Sequence, residues 1–376
     1  MKVCFLVSEF FRWGKFGGYG SATRIVAAEL VRRGLDVTVI TPSRGKQPDR
    51  EIVDGVTVLS YPAHSIGTQF KLLRQCDAEI YHSQEPSLGT WLAMKAAPKR
   101  VHVVTCRDTR LYADWLIEMR SWLRDGSFKT LLTFPYENNV LVTRAVRAAR
   151  AVYCPNEFSR PIAQEKYGLD SLPGFLPSPV RAPRVPLLKA ERPTVCFVGR
   201  WDRRKRPEIF FELARAFPQV RFVAMGEART SARTESLRRR FGGSDNLEMQ
   251  GFVDQFSSDR FQQTLAQSWI LVNTALREGL PRSFLEAAYF KCAILSRVDP
   301  DGFASRFGRR VENDDFAAGL RSLLSQEAWR ARGEEAHQHV AGKYGVEQSV
   351  GQHLEVYHRM LGVRAEPAAA ATAVGE

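Results

Sequence analysis

Two glutamates, Glu278 and Glu286, stand eight positions apart in REGLPRSFLEAAYFKCAILS (Arg277 to Ser296), either side of a Gly279-Leu280-Pro281 break. On an unbroken helix such residues lie about 12 Å apart along the axis and roughly 80° off a common face, so they do not form a side-by-side acid pair. The preceding WILVNT (Trp269 to Thr274) reads as a strand, REGLP as a loop, and RSFLEAAYF as a helix that Pro281 can open at its first turn. Glu278 is then expected on the loop and Glu286 one to two turns into the helix. Between them the unpaired N–H groups of Arg282, Ser283 and Phe284 would meet an anion at the positive end of the helix dipole. This spacing suits an elongated ligand with hydroxyls at each carboxylate and phosphates at the helix end, the order of groups in a sugar nucleotide. An exposed loop acid followed by a helix-face glutamate would leave the same pattern.

A second cluster follows TVCFVGR (Thr194 to Arg200), where Arg200, Arg203, Arg204, Lys205 and Arg206 crowd together before Pro207 opens a helix. Cations at the carboxyl end of a strand suit a phosphate, and a solvated basic turn is the plainer alternative. A third is FGGYGSATR (Phe16 to Arg24), between the first strand and first helix, where Gly17, Gly18 and Gly20 permit positive φ and close backbone approach. It is not the dinucleotide fingerprint: the glycines come late after the strand, and Thr23 stands at the third glycine position.

The elements that must carry these clusters alternate along the chain. VCFLV (Val3 to Val7), a helix through IVAAELVRR (Ile25 to Arg33) ended by Gly34, and VTVIT (Val37 to Thr41) make a βαβ unit. VTVLS (56–60), AEIYH (78–82), HVVTC (102–106) and AVYC (151–154) continue a first series of strands. A second series comprises TVCFVGR, VRFVAMG (220–226), LEMQGF (247–252), WILVNT and CAILS (292–296). The proline-rich, basic LPSPVRAPRVPLLKAERP (Leu176 to Pro193) separates them as a linker. The expected architecture is α/β, with two doubly wound domains, 1–184 and 185–345, facing across a cleft. A helix over 346–363 crosses back to the first domain, and 364–376 forms an unstructured tail. Ligands belong at the carboxyl ends of the strands.

Length and composition agree with this. The 376 residues exceed one ordinary core, and 44% hydrophobic with 25% charged residues is a globular balance. No stretch has the 18 or so apolar residues of a membrane span, and MKVCFLVSEF runs into charge too early for a secretion signal, so a cytoplasmic protein is expected. The six cysteines are scattered without a CxxC pair and the histidines form no HExxH, which points to buried thiols and to no metal site. A net charge of +13 fits an anionic ligand or an anionic membrane face. Nucleic acid is disfavoured, because zinc-finger, RNP-type and helix-turn-helix patterns are missing.

Taken in order, FGGYG, FVGRWDRRKRP, GFV (Gly251 to Val253) and the E-x7-E of EGLPRSFLEAA resemble the retaining glycosyltransferases of family 4, two-domain enzymes of the GT-B fold. The resemblance implies that Glu278 holds donor-sugar hydroxyls, Glu286 the ribose, and Arg200 with Lys205 the diphosphate. The amides of Leu280, Pro281's neighbour Arg282, and Ser283 would add hydrogen bonds after Gly279. Gly17 and Gly18 would approach the phosphates from the other domain, and Val253 would lie near the base. The implied reaction moves a hexose from a UDP- or GDP-sugar to a hydroxyl of a saccharide or lipid-linked glycan, with retention and without a required cofactor or metal. The alternatives are a nucleotide-sugar epimerase of the same fold and a non-catalytic sugar-nucleotide-binding subunit.

One departure is Arg107 in VVTCRDT, where many relatives carry a histidine; His82 in IYHSQEP is open between strand-end packing and a site role. TRLYADWLIEMRSWLRDGSFKTLLTF (Thr109 to Phe134) interleaves Trp115, Trp122, Phe128 and Phe134 with basic residues. It reads as core helices first, and as a glycan groove or an interfacial surface for a lipid-linked acceptor second.

Overall fold

The computed structural model describes residues 1–10, 17–63, 65–124 and 129–363. Phe16, Phe128 and the expected tail 364–376 lie outside them.

The apolar runs fold into two sheets. The first is built from β1 (Lys2–Leu6), β2 (Asp36–Pro42), β3 (Arg50–Val53), β4 (Val56–Tyr61), β5 (Ile80–Ser83), β6 (Val101–Thr105), β7 (Ala151–Cys154) and β8 (Gly174–Phe175). Their order across the sheet is β3-β4-β2-β1-β5-β6-β7-β8, all parallel except the β3-β4 pair. The second sheet holds β9 (Thr194–Val198), β10 (Arg221–Met225), β11 (Leu247–Gly251), β12 (Ile270–Asn273), β13 (Ala293–Ser296) and β14 (Gly308–Arg310). It is parallel throughout, in the order β11-β10-β9-β12-β13-β14. The two-domain GT-B architecture is therefore present. Three strands were not expected: β3 is short and polar, and β8 and β14 have two and three residues, too few to show a hydrophobic period.

Both faces of the second sheet are covered, which explains why its strands are apolar without alternation. Val195, Phe197, Ile270 and Val272 enter one cluster with Phe210 and Trp329, while Cys196, Leu271 and Ile294 enter the other with Phe284 and Tyr344.

Five helices position the cleft and are numbered α1 (Gly18–Arg32), α2 (Tyr112–Arg124), α3 (Pro207–Ala216), α4 (Arg282–Tyr289) and α5 (Val346–Leu361). α1 starts seven residues before the expected Ile25, because Gly17 is its N-cap and Gly18 and Gly20 are in its first turn. α5 packs into the core of the first sheet, where Val350, Val356 and Tyr357 join Val3, Phe5, Val26 and Val39. The proline-rich connection has no regular structure apart from one bridge, Val180 to Gly345, but it is bonded down. The Arg184 amide donates to Gln262 Oε1 at 2.8 Å and Lys189 Nζ to the Phe290 carbonyl at 2.6 Å.

Candidate active site

Each sheet changes winding direction once, between β1 and β5 in the first and between β9 and β12 in the second. Crevices for ligands open at the carboxyl ends of strands at such points. Gly17 and Gly18 follow β1, Arg200 to Lys205 follow β9, and Glu278 follows β12, so three distant clusters converge on one cleft.

On the second-domain side, Lys205 Nζ contacts Glu278 Oε1 directly, and Arg204 Nη1 lies 3.9 Å from Glu278 Oε2. Burial, then the like charges of Arg204 and Arg200, hold the Lys205 pKa well below the ordinary lysine range. Arg200 is the most open of these cations, 31% exposed at its side chain, with Asp202 at 3.3 Å. The basic turn is held by Thr274, whose Oγ1 reaches the carbonyls of Lys205 (2.6 Å) and Arg206 (2.9 Å). Arg206 itself has φ +47°, a left-handed conformation costly outside glycine, and its guanidinium grips the Thr274 carbonyl at 2.7 Å and both oxygens of Asp314. Arg204 and Arg206 are thus engaged by carboxylates and carbonyls, not free for a phosphate, and Pro207 takes the first position of α3.

Glu278 lies on the loop before α4 and Glu286 in its second turn. Pro281 is the N-cap, one position earlier than expected, with φ −63° and ψ 128°. No side chain caps α4, but the Phe284 amide is already taken by the Pro281 carbonyl at 2.9 Å, so the open helix end is narrower than the sequence suggested. Glu286 is buried, and its carboxyl is raised by desolvation against the opposing effect of Arg282, whose Nε is 2.8 Å away. Arg282 also donates to the Pro179 carbonyl at 2.7 Å. Leu280 and Val253 pack on the cluster that contains Phe284 and Leu285. Ser283 follows Arg282 in the first turn of α4.

From the first domain, Gly17 and Gly18 meet this surface, though not as a left-handed loop. Gly17 is extended, with φ −119°, and a side chain there would collide with the Glu9 carboxylate, which accepts the Gly20 amide at 3.3 Å. A Cβ on Gly18 would stand 3.4 Å from Arg282 Cβ, and one on Gly279 3.4 Å from the Arg107 carbonyl. The glycines serve close approach, including the approach of one domain to the other.

Sequence reasoning did not single out Glu85, Asp108, Arg110 or Arg277. Glu85 Oε2 accepts the amides of Arg107 (2.8 Å) and Asp108 (3.2 Å). Burial, then Glu137 and Asp108, push its carboxyl up to about 7. Asp108 goes the other way: burial would raise it, but Arg277, Arg110 and Arg204 outweigh that and hold it well below the usual range. The signal for these residues is their place just beyond β5, β6 and β12, not a motif. Arg107 is buried, with Nε donating to Gln84 Oε1 at 3.0 Å and Nη1 to Ser178 Oγ, so its guanidinium braces the proline-rich connection. His82 is fully buried between Tyr357 Oη and Thr105 Oγ1, each at 2.7 Å, and burial holds it neutral. Among the described residues no group of His, Cys, Asp and Glu side chains could hold a metal ion.

Comparison with known proteins agrees with this geometry. Residues 16–173 match the model of Glycosyltransferase Family 4, and residues 181–340 that of Glycosyl transferases group 1. A stretch of 89 residues is 33% identical to part of a phosphatidylinositol N-acetylglucosaminyltransferase from Arabidopsis thaliana; it covers 24% of this chain and 19% of that protein. Among solved structures, sucrose-phosphate synthase from Thermosynechococcus elongatus superposes with a TM-score of 0.73 at 14% identity, covering 96% of this chain and 99% of that one. HepE from Anabaena, solved in complex with UDP-glucose, superposes with a TM-score of 0.68 at 15% identity over 96% and 100% of the two chains. WaaG, a glycosyltransferase involved in lipopolysaccharide biosynthesis, gives 0.67 at 16% identity over 94% and 99%. At these identities the structural likeness speaks for the fold, and the two family models, one for each half, make this chain a glycosyltransferase of family 4 with the GT-B fold.

Proposed function

We propose that this protein is a retaining hexosyltransferase that moves a sugar from a nucleoside diphosphate donor, UDP- or GDP-linked, to a hydroxyl of a saccharide or lipid-linked glycan in the synthesis of a polysaccharide or glycolipid. The observation that carries the reading is the meeting of Lys205 with Glu278 at the winding switch of the second sheet, opposite Gly17 and Gly18 at that of the first. In this reading Lys205 and Arg200 take the diphosphate, helped by the amides of Arg282 and Ser283. Glu278 turns from Lys205 to the sugar hydroxyls, and Glu286 holds the ribose beside Val253. The bond from C1 to the diphosphate oxygen breaks as the acceptor oxygen bonds to C1 on the same face. The acceptor proton passes to the departing phosphate, whose charge the cations stabilise. No cofactor is required. The domains in this reading are 1–184 on the acceptor side and 185–345 on the donor side, with 346–363 crossing between them.

The UDP and UDP-glucose complexes of HepE support a nucleotide sugar as donor. The test is calorimetric titration with UDP-, GDP- and ADP-sugars, followed by NMR of products formed with an acceptor panel. A transferred sugar with unchanged anomeric configuration is expected. Binding without turnover would favour the non-catalytic subunit, interconversion of the donor alone the epimerase, and an inverted product would overturn retention.

For the acceptor, α2 favours the lipid-linked form. Tyr112, Leu116 and Leu123 fall on one helical face and are 79%, 50% and 53% exposed, while Trp115 on another face is buried in the core. Such a stripe suits shallow insertion at a membrane surface, where the excess positive charge would favour anionic lipid, consistent with work at the inner face of a membrane from the cytoplasm. Sedimentation with phosphatidylglycerol vesicles but not phosphatidylcholine vesicles is expected, and should be lost in L116S/L123S; equal recovery with both would count against it.

A further inference from the structure

Arg204 and Arg277 are the sequence neighbours of Lys205 and Glu278, yet their guanidinium groups reach across the cleft to the first domain. Arg277 is held at three points: Nη1 lies 2.6 Å from Asp108 Oδ1, Nη2 donates to the Thr109 carbonyl at 2.9 Å, and Nε lies 3.0 Å from Asp114 Oδ1. Arg204 Nε is 3.1 Å from Glu118 Oε1. The two donor-side loops are also tied to each other, since Arg204 Nη1 donates to the Arg277 carbonyl at 2.8 Å and the Leu276 amide to the Arg204 carbonyl at 3.0 Å.

The first-domain acids have a simple sequence logic. Asp114 and Glu118 are four apart on α2 and so share one face, while Asp108 stands in the turn that leads into it. Together they form a short ladder along the rim of the cleft. These are not ordinary surface pairs: the side chains of Arg204, Arg277, Asp108 and Glu118 are only 10% to 14% exposed. Exposed pairs contribute about 0–1 kcal/mol, whereas removing one member of a buried pair leaves an uncompensated charge that costs several times more.

We propose that Arg204 and Arg277 are positioning residues through which the first domain sets the places of Lys205 and Glu278. The ladder Asp108, Asp114 and Glu118 makes the donor site complete only when the cleft is closed. Lys205 and Glu278 sit on loops without regular structure beyond one short turn at Arg203–Lys205. Closure therefore supplies the restraint that the second sheet alone does not. This rests on the donor reading of the cleft.

The experiment uses the full chain and two isosteric first-domain variants, Asp114→Asn and Glu118→Gln, whose side chains contact neither Lys205 nor Glu278. Titration with UDP, GDP and ADP identifies the nucleotide that the wild type binds. In each variant the Kd for that nucleotide should rise about 10-fold as the closed fraction falls. X-ray scattering should show a larger radius of gyration without nucleotide. The charge-exchanged pair Glu118→Arg with Arg204→Glu should recover part of the affinity lost in Glu118→Gln. A role confined to stability would lower the melting temperature with Kd unchanged, so Kd within twofold of wild type in both variants overturns the proposal. So does tighter binding, which would make the ladder a lock instead of a support. A wild type that binds none of the three nucleotides removes the donor reading itself, a result distinct from unchanged variants of a wild type that binds.

Discussion

At the scale of single residues, the contact between Lys205 and Glu278 makes each the other's counterion until a ligand separates them. Glu278→Gln keeps the shape but leaves a desolvated lysine beside Arg204 and Arg200. Sugar transfer is expected to fall about 100-fold or more, the scale of losing one transition-state contact. Stability should also drop, by about 1–3 kcal/mol for the unpaired charge. Rate assays with calorimetric melting check both; a wild-type rate would mean that Glu278 merely balances Lys205. Glu85 gives a pH signature. Its folded carboxyl keeps its proton up to about 7, above the unfolded carboxyl range, so its contribution is fully present at acid pH and is lost as pH rises through that value. Glu85→Gln should therefore gain stability relative to wild type between about pH 5 and about pH 8. Denaturant titrations at the two pH values test this, and parallel curves would show that Glu85 ionises normally.

At the scale of elements, the donor side depends on how the β9 turn is fastened to the end of β12. Thr274 is fully buried, and its hydroxyl serves the carbonyls of Lys205 and Arg206 while its own carbonyl receives Arg206 Nε. Arg206 can hold its left-handed conformation because Thr274 and Asp314 over-determine it. Thr274→Val removes the hydroxyl at nearly constant volume, and a loss of about 1–2 kcal/mol is expected from the exposed carbonyls. Nucleotide affinity should weaken with it, because Lys205 is carried on the same turn. Kd and melting temperature measured together decide the point; a lower melting temperature with unchanged Kd would show that the turn keeps its place without Thr274.

At the scale of the whole molecule, α5 joins the end of the chain to its beginning. Tyr357 bonds His82 at the end of β5, and Arg33 at the end of α1 reaches Glu347 at 2.6 Å. A chain ending at Gly345 would leave Val3, Phe5, Val26 and Val39 without Val350, Val356 and Tyr357 over them. Each such buried side chain contributes about 1.5–3 kcal/mol, a large part of what a domain has. The truncated protein should therefore lose cooperative unfolding of the first domain while the second stays protected, as limited proteolysis would read. Equal protection of both halves would show α5 to be dispensable.

Much of the architecture is written locally. Unbroken apolar runs, helical periodicity and the stops at Gly34 and Pro207 act within about ten residues, and they placed most strands within one or two positions. The same local grammar put Glu278 on a loop and Glu286 within the following helix, where they are found. The strand order, with β5 beside β1 and β12 beside β9, was decided only in three dimensions, because many orders would bury the same runs. Tertiary structure alone also revealed why Gly17 and Gly18 are glycines, since their neighbours are Glu9 and Arg282. It also moved Arg107 and His82 into structural bonds and created the ladder from Arg277 to Asp108, 169 positions apart. Charge pairing at such separation has no sequence period, and it exists only once hydrophobic packing has brought the two sheets' carboxyl ends face to face.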